Sequence, residues 1–175
     1  ELHDPGTTII LPEVKKEWKN LSLHELRQKL GLLPLLTGSP LIKVTYTDRY
    51  LYKNKAEILS DLLQVPSVGS TTKVLINVRE NNNDYRTCPT RQRKSDLAVH
   101  FQVLKSQGAG VNTKVQPRRR QVHFPHARSL VLQKQDGQKY RLMFDQGLAF
   151  LEKISKDNYS VTQDSYIVIT RFSDE

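Results

Sequence analysis

The sequence predicts an α/β domain with a mixed, partly parallel β-sheet flanked by helices. In the first 116 residues, alternating and β-branched segments take turns with segments whose leucines recur at helical spacing. Such a succession is typical of parallel strands joined by helical crossovers. Further along, Asp136-Gly137 separates two alternating runs, which indicates a β-hairpin and therefore antiparallel strands in the same sheet.

Residues 1–40 are predicted to be an extension with one short helix, and residues 41–175 to be the main α/β domain. In the extension, residues 7–11 (TTIIL) favour an edge strand. Ser22 and Glu25 have the spacing of a capping box, which starts a helix, and Gly31 suits the position just after its end.

The main domain is predicted to alternate strands rich in β-branched residues with helices whose leucines share one face. Residues 80–90 and 117–125 are expected to be loops, and the second (PRRRQVHFP) is strongly basic. The predicted elements are a strand over 41–47, a helix over 54–64, a strand over 72–78, a helix from 91 or 95 to 107, a strand over 111–116, a hairpin over 127–133 and 139–144, a helix over 146–154 and a strand over 165–172.

Positive charge is concentrated in one part of the chain. The formal net charge is +9, but residues 86–141 carry thirteen Lys and Arg against two acids, Asp96 and Asp136, so the remainder is slightly acidic. A localised basic field raises the local concentration of polyanions and steers their approach. The alternative is a solubilising surface without a partner.

Several classes of function lack their sequence signals. Cys88 is the single cysteine, which excludes an internal disulfide and a thiolate zinc site. The chain has no phosphate-binding glycine loop, dinucleotide fingerprint, His-Glu-x-x-His or Gly-x-Ser-x-Gly motif, and no apolar run of about 18 residues. We expect no metal, no cofactor and a cytoplasmic location. Because it lacks an initiator Met, the chain is expected to be a piece of a larger protein.

A phosphate site is predicted around His126 and Arg128, which lie two residues apart and face the same way on a strand. The guanidinium offers a rigid fork of donors to an oxyanion. His123 and Arg49 are further candidates for phosphate contact. Asp48 and Asp145 are candidates for orienting these side chains, although Asp145 also suits the N-cap of the helix predicted after it. Gly147 is expected to serve close packing or a positive φ.

A second basic element precedes the predicted helix that begins at 91 or 95. A start at 91 puts cations at the positive end of the helix dipole, a conflict that a bound phosphate resolves, whereas a start at 95 leaves these cations in a loop. The candidate nucleic-acid contacts from all basic elements are Arg86, Arg91, Arg93, Lys94, Arg118, Arg119, Arg120 and Arg141.

From Leu41 to Arg171 the sequence resembles the phospholipase D-like domain at the C-terminus of microtubule-interacting-and-trafficking proteins, and its bacterial relatives. The resemblance implies a phospholipase D-like fold. The bacterial relatives are terminal domains of antiviral (anti-phage) defence and helicase-associated proteins, and the trafficking relatives meet acidic membranes. The matching segments are Asp48-Arg49-Tyr50, His126-Ala127-Arg128, Asp136-Gly137, residues 145–150 and residues 166–172.

Active phospholipase D-type enzymes use His-x-Lys followed four residues later by Asp, with two such motifs in each site. Here Arg128 replaces the Lys, Asp136 lies eight residues after Arg128, and the chain has no second motif. The resemblance therefore implies a binding module. If the chain is catalytic, His126 is the expected nucleophile of a dimeric phosphodiesterase.

The sequence as a whole predicts a non-catalytic domain that binds the phosphate backbone of nucleic acid, DNA rather than RNA. Such a domain is expected to be an accessory terminal domain of a bacterial defence or helicase-associated protein, with other domains or subunits as further partners. One alternative is an adaptor for acidic phospholipid or phosphoinositide membranes. The other is the dimeric phosphodiesterase or nuclease.

Overall fold

The computed structural model describes residues 8–10, 13–51, 53–79, 90–116 and 128–172. Strands and helices alternate through the first two thirds of the chain, and strands alone fill the last third. In chain order they are β1 (Thr8–Ile10), α1 (Leu23–Lys29), α2 (Leu33–Leu36), β2 (Leu41–Asp48), α3 (Lys53–Leu63), β3 (Lys73–Arg79), α4 (Thr90–His100), α5 (Gln102–Ser106), β4 (Gly110–Gln116), β5 (Arg128–Lys134), β6 (Lys139–Phe144), β7 (Leu151–Ser155), β8 (Asn158–Val161) and β9 (Ile167–Phe172).

Seven strands form one mixed sheet in the order β1-β9-β6-β5-β2-β3-β4. The strands β2, β3 and β4 are parallel, and β5, β6, β9 and β1 each pair antiparallel with their neighbour. The predicted fold class, with its parallel half, its hairpin of β5 and β6, and its edge strand near the N-terminus, is confirmed.

The hydrophobic core lies on one face of this sheet. Alternate residues of the strands are buried there, and α3 adds four buried side chains, Ile58, Leu59, Leu62 and Leu63. The capping box of α1 is present, with Gly31 at φ 71° just after the end of the helix. Buried leucines between residues 21 and 36 belong to the same core cluster. The boundary at residue 40 stays a prediction.

The helix predicted to end at residue 107 is interrupted. It begins at Thr90, close to the earlier of the two predicted starts, but it breaks at Phe101 into α4 and α5. Phe101 leaves the helical region with ψ 7° and is fully buried. Leu97 and Leu104 are buried beside it, so the predicted apolar face survives the break.

The helix predicted over 146–154 is wrong. Residues 145–150 form consecutive turns, and Leu151–Ser155 is the strand β7, which pairs with β8 in a separate two-stranded sheet. Gly147 has a φ of +59°, a left-handed conformation that a right-handed helix excludes. Buried Leu148 and Leu151 have helical spacing, but they anchor a turn and the start of a strand.

Candidate functional site

The carboxyl ends of the parallel strands meet at one edge of the large sheet, the usual location of ligand sites in open α/β sheets. β2 ends there at Asp48, and β5, which runs the opposite way beside it, begins there at Arg128. Phe144 at the end of β6 is the Cα partner of Arg128, so the turn that contains Gly147 starts at the same edge. The register of three strands therefore brings Asp48, Arg128 and Gly147 together.

Asp48 is a buried carboxylate with three partners in the part of the chain that the structure describes. Its Oδ2 accepts a hydrogen bond from the Tyr46 hydroxyl (2.8 Å), and its Oδ1 accepts one from the backbone N–H of Tyr50 (2.8 Å). The Nε of Arg128 lies 3.5 Å from Oδ1 in an ion pair. Burial, and then the charge of Asp48, raise the pKa of Tyr46, so its hydroxyl remains a neutral donor. We call Tyr46, Asp48, Tyr50 and Arg128 the edge cluster.

Arg128 is held from two sides. Asp48 binds its Nε, and the ring of Tyr50 stacks on the guanidinium, with 5.5 Å between the guanidinium carbon and the ring centroid. The Arg128 side chain keeps 23% of its surface exposed, and Tyr50 keeps 43%. A guanidinium fixed in this way loses little conformational entropy when it binds an anion.

Gly147 closes the edge cluster from the side of the β6 turn. A Cβ at this position lies 2.4 Å from Oδ2 of Asp48 and 3.0 Å from Cδ of Arg128, too close for any other residue. Close packing and a positive φ, the two expectations for this glycine, are both confirmed.

The edge cluster opens onto a cavity of about 220 Å³, which we call the edge cavity. Two cations, Arg128 and Lys55, and one carboxylate, Asp48, are among its lining residues. Lys55 donates to the Leu151 carbonyl, and burial lowers the pKa of Lys55. The excess of one positive charge, and a guanidinium already oriented, suit an oxyanion. The other lining residues are Tyr50, Gln146, Leu148 and Ala149.

A larger cavity of about 490 Å³ lies between α3 and β7, but its chemistry is different. Lys153 in its wall is shared between Glu57 and Asp61, with both N–O distances at 2.9 Å. Asp61 also accepts a hydrogen bond from the Tyr159 hydroxyl (2.6 Å). Three cations, Lys55, Lys153 and Lys156, and two carboxylates, Glu57 and Glu152, line this cavity. We call Glu57, Asp61, Lys153 and Tyr159 the helix cluster. Because two carboxylates hold the ammonium of Lys153, this cavity lacks the oriented guanidinium of the edge cavity, and we do not assign the anion site here despite the larger volume.

The other described candidates are not among the residues that line the edge cavity. Asp145 is exposed and accepts a hydrogen bond from the Tyr166 hydroxyl (3.4 Å) in a turn, so the N-cap interpretation is wrong. Arg49 is half-buried beside Asp48, and Lys94 is exposed on α4. Arg141 is exposed on β6, on the face opposite to buried Leu142, with its guanidinium 5.3 Å from the Phe172 ring centroid.

Several candidates lie outside the described residues: Arg86, Arg118, Arg119, Arg120, His123 and His126. Arg91 and Arg93 belong to α4, but the structure describes only their backbone and not their side chains. The described strands that precede the two undescribed segments end at Arg79 and Gln116, which are Cα partners at the carboxyl edge.

Sequence reasoning missed two members of this site. Tyr46 precedes Asp48 by two residues on a strand, and this spacing already puts both side chains on one face. Lys55 carries no such signal, because its position depends on how α3 packs against β7. Among the described residues, no group of three or more His, Cys, Asp or Glu could hold a metal ion, and no described helix is long and apolar enough to cross a membrane.

Comparison with solved structures finds yeast tyrosyl-DNA phosphodiesterase, at 11% identity and a TM-score of 0.41, over 95% of this chain and 31% of that one. A single-residue variant of tyrosyl-DNA phosphodiesterase 1 from yeast matches with 11% identity, a TM-score of 0.42 and the same coverage. The chain thus spans about a third of the length of these proteins.

No curated protein sequence matches the chain. A family model described as the C-terminal domain of DEAD/DEAH box helicase YjiV matches residues 16–171, nearly the whole chain. The chain therefore belongs to this family of helicase C-terminal domains.

Proposed function

We propose that this helicase-associated domain binds nucleic acid, DNA in preference to RNA, through the phosphate backbone and without cleaving it. The proposal rests on the way in which the guanidinium of Arg128 is held in the wall of the edge cavity. Its guanidinium is clamped by buried Asp48 and stacked on exposed Tyr50. Membership in a helicase family makes nucleic acid the natural source of the anion.

The edge cavity fits one phosphodiester group better than a neutral ligand. Arg128 supplies an oriented planar donor, Lys55 supplies a second cation, and Asp48 offsets one of the two charges. The remaining excess charge attracts the anion, while the buried carboxylate fixes the direction of the guanidinium. Tyr50 offers an exposed ring beside the phosphate, where an unpaired base can stack.

We assign most of the affinity to the basic residues between 86 and 141, because this segment holds thirteen cations against two acids. Phosphate contacts of this kind set affinity, and they make it dependent on salt. His126 and His123, in the segment that leads into Arg128, and Arg49 complete the proposed phosphate site. The proposed backbone contacts are Arg86, Arg91, Arg93, Lys94, Arg118, Arg119, Arg120 and Arg141.

The ion pair of Arg128 with Asp48 supports binding without catalysis. The phospholipase D resemblance puts it where active enzymes have Lys, and here its Nε already faces Asp48. We assign it to anchoring a phosphate. The accessory role in a bacterial defence helicase, the phospholipase D-like ancestry and the cytoplasmic location belong to the same proposal.

The test is a titration of fluorescently labelled single- and double-stranded DNA with the chain, followed by anisotropy at several salt concentrations. We expect the logarithm of the affinity to fall linearly with the logarithm of the salt concentration. Affinity that ignores ionic strength contradicts the proposal, as does binding to vesicles with acidic phospholipid in the absence of DNA binding. Cleavage of the DNA that His126→Ala abolishes contradicts the non-catalytic part.

A further inference from the structure

The face of the large sheet opposite the core is lined by side chains that are all at least partly exposed. On β2 to β6 and β9, every described residue that points to this side is half-buried or exposed, whereas its neighbours on the other side form the core. The register continues from strand to strand, so these residues form one surface. We call it the open face.

The charges on the open face have one sign. Among the described strand residues that point to it, none is acidic. The edge cavity lies at the end of β2, and the open face covers the length of the strands, so the two surfaces use different residues. The basic residues of the open face are Lys43, Lys73, Arg79, Lys114, Lys139 and Arg141.

Three of these lysines stand in one row across the sheet. Lys73 is the Cα partner of Lys43, which pairs with Gln133, which in turn pairs with Lys139. With neighbouring strands about 4.8 Å apart, the row from Lys73 to Lys139 is about 14 Å long. Cations spaced in this way match a chain of phosphates better than a single anion.

Phe172 ends the row. It is the Cα partner of Lys139, and its ring lies 5.7 Å from the ammonium of Lys139 and 5.3 Å from the guanidinium of Arg141. An aromatic ring next to cations on an open sheet is a stacking platform for unpaired bases. The neighbouring positions of the central strands carry uncharged polar side chains, among them Thr45, Thr47, Asn77 and Ser129. Half-buried apolar side chains lie between them, Leu75 and Val131 on either side of Thr45.

We propose that the open face is a second nucleic-acid site, which binds a single strand along the row of lysines with a base on Phe172. The inference rests on the proposed function, because it takes nucleic acid as the partner. We propose a single strand because the bases of a duplex are already stacked and paired. No base of a duplex is therefore free to stack on Phe172. The β2 residues Lys43 and Asp48 are five positions apart, about 17 Å, so one strand can reach both sites.

The experiment compares two triple variants of the 175-residue chain that remove equal charge. The first combines Lys43→Gln, Lys73→Gln and Lys139→Gln. The second combines Lys15→Gln, Lys16→Gln and Lys156→Gln, which are exposed and lie outside the strands of the large sheet and outside residues 86–141. The probe is a labelled oligothymidylate, measured by anisotropy over a range of salt, and circular dichroism checks that each variant is folded.

We expect the open-face triple to lose at least about tenfold in affinity for the single strand and its log–log salt slope to fall by about 2, whereas the control triple stays within about twofold. Phe172→Leu should weaken the single strand about five- to tenfold and leave a duplex hairpin unchanged.

Equal losses in the two triples overturn the inference. So does a loss that is the same for labelled poly-glutamate as for DNA, which indicates an acidic protein as the partner. If Lys55→Gln weakens DNA binding while the open-face triple does not, the inference fails and the proposed function stands. Absence of any DNA binding by the unmodified chain refutes the proposed function itself.

Discussion

The edge cluster and the helix cluster contain the same kinds of side chain, yet only one of them is suited to bind an anion. Each has an aspartate that accepts a hydrogen bond from a tyrosine hydroxyl and pairs with a cation, Asp48 with Arg128 and Asp61 with Lys153. In both, burial and the neighbouring aspartate raise the pKa of the tyrosine.

The difference lies in the ratio of charges and in burial. Lys153 is held by two carboxylates, Glu57 and Asp61, whereas Arg128 pairs with one carboxylate among the described residues. Asp48 is 3% exposed, which makes its partners hard to exchange. We therefore propose the anion site at the edge cavity, where a guanidinium oriented by one described carboxylate faces the cavity.

The largest effect is expected from Gly147→Ala, which forces a Cβ to 2.4 Å from Asp48 and keeps a residue with a side chain at φ +59°. Strain and overpacking together should cost about 3 kcal/mol or more of unfolding free energy, measured by denaturant titration. The control is Gly137→Ala, at φ +91° with nothing within 4 Å, which should lose about 1–2 kcal/mol. If the two variants lose the same unfolding free energy, the edge cluster is not tightly packed around Gly147.

Replacing each aspartate by asparagine compares the clusters directly. Asp48→Asn leaves the partly buried Arg128 without its carboxylate and should cost about 2 kcal/mol, less than for a fully buried pair because Arg128 is 23% exposed. Asp61→Asn leaves Lys153 paired with Glu57, so the loss should be about 1 kcal/mol or less. Thermal and denaturant unfolding measure both. If Asp61→Asn loses more unfolding free energy than Asp48→Asn, the edge cluster is not the more strongly buried of the two clusters.

Within the edge cluster, Tyr46→Phe should cost less at neutral pH than Asp48→Asn, about 1.5 kcal/mol for a hydrogen bond to a charged acceptor. The pH dependence of the unfolding free energy of this variant is a more specific test of the hydrogen bond. Because the folded state raises the pKa of Tyr46, the unfolded chain releases this proton first as pH rises above about 10. Stability therefore falls with rising pH, and the variant should lose stability less steeply there, by up to about 1.4 kcal/mol per pH unit. Tyr166→Phe, at an exposed tyrosine, is the control; identical slopes refute the prediction.

The architecture could be predicted because each strand and helix of the large sheet carries its own local signal. The alternation from 41 to 47, the leucines of α3 and the Asp136-Gly137 turn all agree with the final structure. The failure after residue 145 has a physical cause. Leu148, Phe150 and Leu151 fit a helical face, a turn or a strand equally well, and the conformation of Gly147 decides between them.

The candidate site was predictable only in part, because it is assembled by contacts distant in sequence. Asp48 and Arg128 were both singled out, but their pairing depends on β5 inserting next to β2, eighty residues away. Lys55 could not be identified, since its role depends on the undetected strand β7, whose Leu151 carbonyl it contacts. The N-cap interpretation of Asp145 depended on a helix that was expected to start there, and turns over residues 145–150 take the place of that helix.

The most direct test of phosphate binding at the edge cavity compares two double variants that preserve net charge. One is Asp48→Asn with Arg128→Gln, and the other is Asp61→Asn with Lys153→Gln; each removes one aspartate and its cation, so no buried charge is left unpaired. With labelled DNA at fixed salt, the first should lose about tenfold in affinity, and the second should stay within about twofold of the unmodified chain. Equal affinities for the two folded variants contradict the assignment of the edge cavity.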